Sequence, residues 1–208
     1  MALDTAQLPP LQLDQAHPAM SQPTGFSYIP AWLSPTEASA LLDQVLTLPF
    51  ERESYRGHLL KRHYAQFGFA YITARKTVIP APPLPPFLTA LAASALPHCP
   101  AGATFNQCIA TQYSGDADIG WHTDAPCFGD CIIAVSLGAP ATMRLQHAGT
   151  KELAYEQEIA PGSLYIMSGA ARWEFQHQLG PPRRATRHSL TFRSVPPTMD
   201  TGAPSKKA

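Results

Sequence analysis

The chain has 208 residues, and its 15 lysines and arginines balance its 15 aspartates and glutamates. This length suits one catalytic domain, and the charge balance excludes the basic excess of a protein that coats nucleic acid. The N-terminus lacks the features of a secretion signal, and no apolar run reaches the roughly 18 residues of a membrane span. We therefore expect a cytosolic monomer whose four cysteines are reduced.

Both ends of the chain are rich in proline and lack apolar periodicity. Residues 1–23 are predicted to form a disordered arm, and residues 195–208 a matching tail. The folded domain is then expected to span residues 24–194.

Two helices are predicted in the first half of the chain. Ser34-Pro35-Thr36-Glu37 is a capping box with proline at the first helical position, and an apolar helical stripe follows it. A second helix is predicted after the proline-rich link 80–86, where leucines and Phe87 lie among alanines. Between the helices, residues 51–76 mix basic and aromatic side chains with glycines, which favours short strands or a lid over the substrate.

From Thr104 onward the sequence consists of short β-branched or aromatic runs separated by Gly, Pro and Asp. The predicted strands are 104–113, 131–137, 141–147, 154–159, 163–168 and 187–194. Without helical patterns between them, these strands favour two antiparallel sheets of a jelly roll over a parallel sheet. The expected class is mainly β with flanking helices (α+β), and the helices would brace one sheet from outside.

A metal site is predicted around His122 and Asp124, which stand two residues apart and so face the same side of an extended segment. His177 follows several predicted strands later and can supply a third ligand. Two histidines and one carboxylate form the facial triad of non-haem iron(II) oxygenases, with open positions for a cosubstrate and O2. Two alternatives are a solvated turn and a zinc site that includes Cys127 and Cys131. Cys131 opens an apolar strand, which favours a buried thiol.

An anion site is predicted on the last strand, which alternates with period two. Leu190 and Phe192 would pack between the sheet and the helices. The opposite face carries Arg187, Ser189, Thr191 and Arg193. Burying two guanidiniums without an anion is unfavourable, so Arg187 is predicted to hold the distal carboxylate of 2-oxoglutarate, whose keto-acid end would chelate the metal. The alternative is an edge strand with solvent-facing arginines.

Several ordered motifs cover most of residues 25–194. The first motif runs from Phe105-Asn106 to His122-x-Asp124 and includes Ile109, Tyr113 and Gly115. The later motifs are Val135-Ser136-Leu137-Gly138, Pro161-Gly162-Ser163-Leu164, His177 and Arg187-x-Ser189-Leu190-Thr191-Phe192-Arg193. In order and spacing these motifs resemble the AlkB family of iron(II)/2-oxoglutarate dioxygenases.

The resemblance implies a double-stranded β-helix that oxidatively removes alkyl groups from bases of nucleic acid. It assigns iron(II) to His122, Asp124 and His177. It places 2-oxoglutarate among Tyr113, Arg187, Ser189 and Arg193.

The sequence departs from the family pattern at two positions. Thr111 stands where many members have an asparagine, which predicts a weaker hydrogen bond to the cosubstrate. Pro126 stands where the prototype bacterial repair enzyme has an acid that acts on the methylated base. The expectation of N1-methyladenine as substrate is therefore not carried over.

Three functions stay open at this point. The first is a nucleic-acid dealkylase, for which residues 51–76, Arg183 and Arg184 offer candidate phosphate contacts. The second is the same chemistry on a protein, a lipid or a small molecule. The third is a non-catalytic binding module, against which the complete set of ligands and arginines argues.

Overall fold

The structure is a computed structural model that describes residues 21–55, 58–183 and 185–197. The first half contains β1 (Phe26–Ile29), α1 (Pro35–Val45), β2 (Glu51–Tyr55), β3 (His58–Phe67), β4 (Phe69–Ile72), β5 (Thr77–Pro80) and α2 (Pro86–Ala95), followed by a 3-10 turn, Leu96–His98. The second half contains β6 (Gln107–Tyr113), β7 (Ile119–His122), β8 (Ile132–Gly138), β9 (Ala141–His147), β10 (Leu153–Ile159), β11 (Leu164–Met167), α3 (Gly169–Trp173), β12 (Phe175–Leu179) and β13 (Arg187–Arg193).

Two antiparallel sheets form the body of the molecule. The larger has seven strands in the order β1-β11-β8-β13-β6-β3-β2, and the smaller has four in the order β10-β9-β12-β7. Strands β4 and β5 form a separate pair. This arrangement confirms the predicted mainly β jelly roll with flanking helices.

The helices cover the outer face of the larger sheet. The capping box of α1 forms as predicted, because the Ser34 hydroxyl accepts from the Glu37 amide and the Glu37 carboxylate accepts from the Ser34 amide. α1 and α2 share one apolar core with the sheet, in which Leu190 and Phe192 of β13 are fully buried. The predicted division of β13 into an apolar and a polar face is therefore correct.

A second apolar core lies between the two sheets. It joins residues of the larger sheet, such as Ile132 and Tyr165, to residues of the smaller sheet, such as Met143 and Leu145. The inner faces that this core leaves uncovered enclose a cavity, which is lined by β3, β6 and β13 on one side and by β7 and β12 on the other.

Segment 51–76 consists largely of strands. β2 and β3 extend the larger sheet through the pairing of β3 with β6, and β4 starts directly after β3. Most of the segment therefore forms strands, and its role as a lid over the substrate stays a prediction. The first predicted strand, 104–113, starts later at Gln107, because residues 103–106 are extended chain outside the ladder.

The described residues include one neighbour on each side of the predicted domain that packs against it. Pro23 is buried, and its carbonyl accepts from the Phe26 amide at 3.0 Å. Val195 is 3% exposed and exchanges two hydrogen bonds with the Asn106 side chain. The domain limits at 24 and 194 stay a prediction. Most of the predicted arm and tail, residues 1–20 and 198–208, lies outside the described residues.

Two expectations about the chain as a whole concern membranes and disulfides. No helix in the described part of the chain is long and apolar enough to span a bilayer. All four cysteines are free thiols, as predicted.

Candidate metal and cosubstrate site

The three predicted metal ligands come together at the edge of the smaller sheet. His122 on β7 lies directly opposite His177 on β12, and Asp124 follows β7 by two residues. Their ligand atoms all lie within 4.8 Å of one another, and His177 Nε2 is 3.6 Å from Asp124 Oδ2. Two imidazoles and one carboxylate at this spacing match the donor set of a facial triad.

Both histidines are held in the form that binds a metal. His122 Nδ1 lies 2.8 Å from the Gly120 carbonyl, which can only accept, so Nδ1 carries the proton and Nε2 is left free. Burial lowers the pKa of His122, and burial together with the His122 charge lowers the pKa of His177 to about 3. A neutral imidazole is the ligating species.

Asp124 is the anionic member of the site, and Arg193 keeps it ionised. Burial alone would raise the pKa of Asp124, but the charge of Arg193 acts against burial, and the net effect is a lowered pKa. Arg193 contacts Asp124 Oδ1 through Nη2 at 2.5 Å and through Nε at 2.8 Å. Arg193 therefore stands at the metal end of the cavity, against a ligand.

Arg187 occupies the closed end of the cavity. The side chain is 1% exposed, its Nε donates to Ser136 Oγ at 3.1 Å, and its Cζ lies 5.2 Å from the Tyr113 ring centroid. Burial lowers the pKa of the guanidinium, and Tyr113 and Tyr165 oppose this effect. Nη1 and Nη2 are buried without a hydrogen-bond partner among the described residues. A guanidinium with two free donors suits a bidentate carboxylate.

The remaining polar residues of β13 line the same cavity. Ser189 and Thr191 lie between the two arginines, with their hydroxyl oxygens 3.5 Å apart. Thr111, the first departure from the family pattern, is buried and pairs with Ser189 across the strands. Its short hydroxyl therefore stands beside the predicted cosubstrate row. Pro126, the second departure, is exposed in the loop that follows Asp124.

The cavity has a volume of about 590 Å³. Five of its partly or well exposed lining residues are here called its mouth: Leu60, Arg62, Tyr71, Thr73 and Trp121. Arg62 donates to the Asp118 carbonyl at 2.6 Å, and its neighbour Lys61 pairs with Asp116. Trp121 is 37% exposed.

Arg183, a candidate phosphate contact, pairs with Glu158 at 3.1 Å. The second candidate in that loop, Arg184, lies outside the described residues.

The alternative zinc site is not formed by the described residues. Cys131 belongs to the core beneath the helices, where burial raises the pKa of its thiol to about 12. Cys127 packs with Phe128 and Val195 in a separate apolar cluster. Neither thiol joins the group formed by the two histidines and Asp124.

Three residues of the site were not predicted from the sequence. Ser136 of β8 and Tyr165 of β11 flank Arg187, and Arg172 of α3 lies behind Asp124. The first two lie on strands that read as continuous apolar runs, where a single hydroxyl gives little signal. Arg172 binds backbone carbonyls, which leave no pattern in a sequence.

Comparison with known families agrees with this geometry. The profile of the 2OG-Fe(II) oxygenase superfamily matches residues 25–194. The chain belongs to this superfamily. Iron(II), 2-oxoglutarate and O2, the cofactors predicted from the sequence, are the reactants that the 2OG-Fe(II) oxygenases share.

Individual relatives support an AlkB-like member of the superfamily. The chain is 37% identical over 94 residues to "Alpha-ketoglutarate-dependent dioxygenase alkB homolog 7, mitochondrial" of Mus musculus, and equally to that of Bos taurus. The match covers 40% of this chain and 42% of the mouse protein, which is less than half of either. The predicted resemblance to the AlkB family is confirmed.

Solved structures share the fold at low sequence identity. The structure of OsALKBH1 superposes with a TM-score of 0.71 at 16% identity, covering 84% of this chain and 98% of the other. A Pseudomonas putida prolyl-4-hydroxylase gives a TM-score of 0.57 at 15% identity, covering 83% and 93%. Both confirm the double-stranded β-helix.

Proposed function

We propose that this chain is a 2-oxoglutarate-dependent dioxygenase that removes alkyl groups from N-alkylated bases of nucleic acid. The observation that carries the chemistry is Arg187, whose two terminal nitrogens are buried and unpartnered among the described residues. Burying a guanidinium without partners is unfavourable in free energy, and an anionic ligand would offset that penalty. Arg187 shares one cavity with His122, Asp124 and His177.

In this proposal, His122, Asp124 and His177 hold iron(II), and Arg187 receives the distal carboxylate of 2-oxoglutarate. When bound, these groups and O2 supply hydroxylation of a C–H bond, coupled to decarboxylation of 2-oxoglutarate to succinate and CO2. Hydroxylation of an N-methyl carbon gives a hemiaminal, which releases formaldehyde and leaves the nitrogen without its methyl group.

The protein's own residues orient these groups. The Gly120 carbonyl fixes the His122 ring, and Arg193 holds one oxygen of Asp124 while the other faces His177. Tyr113 lies against the Arg187 guanidinium and Ser189 stands beside it on the same strand face, so both would contact the cosubstrate. Such preorganisation holds reacting groups in place before the substrate arrives.

The proposed substrate class rests on the AlkB-like resemblance and on the aromatic mouth. Trp121, Tyr71 and Phe128 line the cavity near the metal ligands. An extruded base is a flat ring, and enzymes that act on bases hold it by stacking on aromatic side chains.

A second candidate is the same chemistry on a protein or small molecule. Basic side chains near the mouth are engaged in contacts within the chain: Arg62 with Asp118, and Lys61 with Asp116. Binding to phosphates would compete with these contacts. This observation favours a substrate without a phosphate backbone.

The two candidates are separated by mass spectrometry of methylated DNA and RNA oligonucleotides incubated with iron(II), 2-oxoglutarate and the protein. Loss of a methyl group with release of formaldehyde supports the first candidate. Succinate formation without change in any oligonucleotide supports the second. His122→Ala should abolish turnover, whereas His98→Ala on the exposed turn after α2 should not. Demethylation that persists in His122→Ala would contradict the proposed metal site.

The cytosolic location and the monomeric state stay predictions, and we propose both for this chain. The mouse and bovine relatives are named as mitochondrial proteins, so location is best tested by fractionation of cells that express the full chain. Light scattering tests the second prediction, with a mass near 22.5 kDa expected for the monomer.

A further inference from the structure

Arg172 is a buried arginine behind the metal ligands. It lies on the short helix α3 and is 2% exposed. Its guanidinium donates to four backbone carbonyls of the loop that follows β7: Asp124 at 3.1 Å, Ala125 at 2.8 Å, and Phe128 and Gly129 at 3.4 Å each. The 2.8 Å contact is the shortest, and the two at 3.4 Å are long.

The guanidinium and the loop depend on each other. Burial lowers the pKa of Arg172, and the charge of Asp124 acts against burial. The guanidinium donates its hydrogen bonds to backbone carbonyls, so the loop supplies the partial negative charge that a buried cation requires. Without the cation, these four carbonyls would lose the donor that they share.

The loop carries two parts of the site. Asp124 stands at its start, and the Phe128 ring near its end forms part of the cavity wall. The Arg193 guanidinium lies 4.8 Å from the Phe128 ring centroid and binds Asp124 Oδ1. A shift of the loop would therefore move both the ligand and the cation that holds it.

Helix α3 is itself anchored to the start of the domain. The Ala171 amide donates to the Thr24 carbonyl at 2.9 Å, and the Ser168 amide donates to the Gly25 carbonyl at 2.8 Å. Gly25 has a φ of +86°, and a Cβ there would lie 2.0 Å from the Ser168 carbonyl oxygen. Arg172 therefore extends to the loop from a helix that these hydrogen bonds hold in place.

We propose that Arg172 is a positioning residue for the metal site, which holds the Asp124 backbone and so aims the carboxylate. This inference rests on the proposed iron site. Lysine at this position would keep the charge but, as a point charge with three donors, cannot reproduce the fork of the guanidinium. Methionine would fill similar space and donate to none of the carbonyls.

The test is Mn²⁺ binding to the full chain, followed by calorimetry, for wild type, Arg172→Lys and Arg172→Met. The matched control is Arg144→Met, which removes an exposed arginine paired with Glu156. We expect the Kd for Mn²⁺ to rise about 10–100-fold in Arg172→Met, the range seen when groups that orient metal ligands are lost. The rise should be smaller in Arg172→Lys and absent in Arg144→Met.

Circular dichroism at the titration temperature ensures that only folded variants are compared. An unchanged Kd in folded Arg172→Met would overturn the inference. A wild-type chain that binds no Mn²⁺ would instead overturn the proposed metal site.

A second measurement uses the wild-type protein alone, in case Arg172→Met does not fold. The Nε–H resonance of Arg172 is followed by NMR during titration with Zn²⁺, a diamagnetic probe. If Arg172 positions Asp124, its resonance shifts with metal occupancy, and the amides of residues 125 and 127–129 exchange more slowly in the loaded protein. A resonance that does not move at full occupancy would overturn the inference.

Discussion

The two ends of the cavity differ in how their charges are partnered. At the closed end, Arg187 is buried and its two terminal nitrogens have no partner among the described residues. Near the mouth, Arg62 lines the cavity and its neighbour Lys61 does not. Both are paired with groups of their own chain, and the Lys61 pair is exposed to solvent. A buried charge without a partner specifies its ligand strongly, whereas an exposed and paired charge specifies little. The proposed carboxylate site at Arg187 therefore rests on the geometry, whereas the proposed substrate class rests on the AlkB-like resemblance.

The largest effect is expected when the metal site loses the Asp124 carboxylate. Asp124→Ala removes the one carboxylate ligand and leaves the half-buried Arg193 guanidinium without its carboxylate partner. We expect succinate formation to fall by more than about 100-fold, beyond the range for loss of an outer-shell group. Metal affinity and turnover are measured together, and near-normal Mn²⁺ binding in Asp124→Ala would show that the metal sits elsewhere.

The next effect concerns stability at the closed end. Arg187→Met replaces a buried, partly unpaired cation by an apolar side chain of similar length. We expect the protein without ligands to gain about 1–3 kcal/mol in free energy of unfolding, while binding of 2-oxoglutarate weakens. Urea denaturation measures the gain. A clear loss of stability would mean that Arg187 has partners within the folded chain after all.

The free energy of unfolding should also depend on pH, because His188 next to Arg187 on β13 is buried. Burial and the Arg187 charge lower the pKa of His188 below its ordinary value near 6.5. As pH falls below about 6.5, the unfolded chain therefore takes up a proton that the folded chain does not, and stability falls.

The control for this pH effect is His188→Gln, which cannot take up the proton. Between pH 7.5 and 5.5, wild type should lose up to about 1 kcal/mol more stability than the variant in urea denaturation. Equal losses would show that His188 titrates alike in the folded and unfolded chains.

The smallest effects on stability and on KM are expected beside the mouth, at Lys61. Lys61→Ala removes an exposed ion pair with Asp116, of the kind that contributes about 0.2–1 kcal/mol. We expect the free energy of unfolding and the KM for a methylated oligonucleotide to change little, with KM shifting by less than about fivefold. A larger rise in KM that disappears at high salt would assign Lys61 to phosphate binding and remove the contrast between the two ends.

The structural features that depend on local periodicity or helix capping were predictable from the sequence. The alternation along β13 separated Leu190 and Phe192 from the arginines, and the capping box located the start of α1. His122 and Asp124 were found because a spacing of two places side chains on one face of an extended segment. These features are local, so they are visible without a structure.

The contacts that could not be predicted join distant parts of the chain. That Arg193 binds Asp124, while Arg187 Nη1 and Nη2 have no hydrogen-bond partner among the described residues, depends on the register of β13 against β6 and β8. The role of Arg172 depends on carbonyls of a loop more than 40 positions away, which carry no side-chain signature. Helix α3 has five residues, too few to show a helical period.

We propose that Arg187 recognises the distal carboxylate of 2-oxoglutarate beside the metal. Calorimetry without O2 can compare two ligands on Mn²⁺-loaded protein: 2-oxoglutarate and 2-oxobutanoate, which keeps the keto-acid end but lacks the distal carboxylate. Wild type should prefer 2-oxoglutarate by about 10–100-fold, the value of a charge-assisted hydrogen bond of about 1.5–3 kcal/mol. In Arg187→Met the preference should vanish. An undiminished preference in that variant would show that Arg187 does not bind the distal carboxylate.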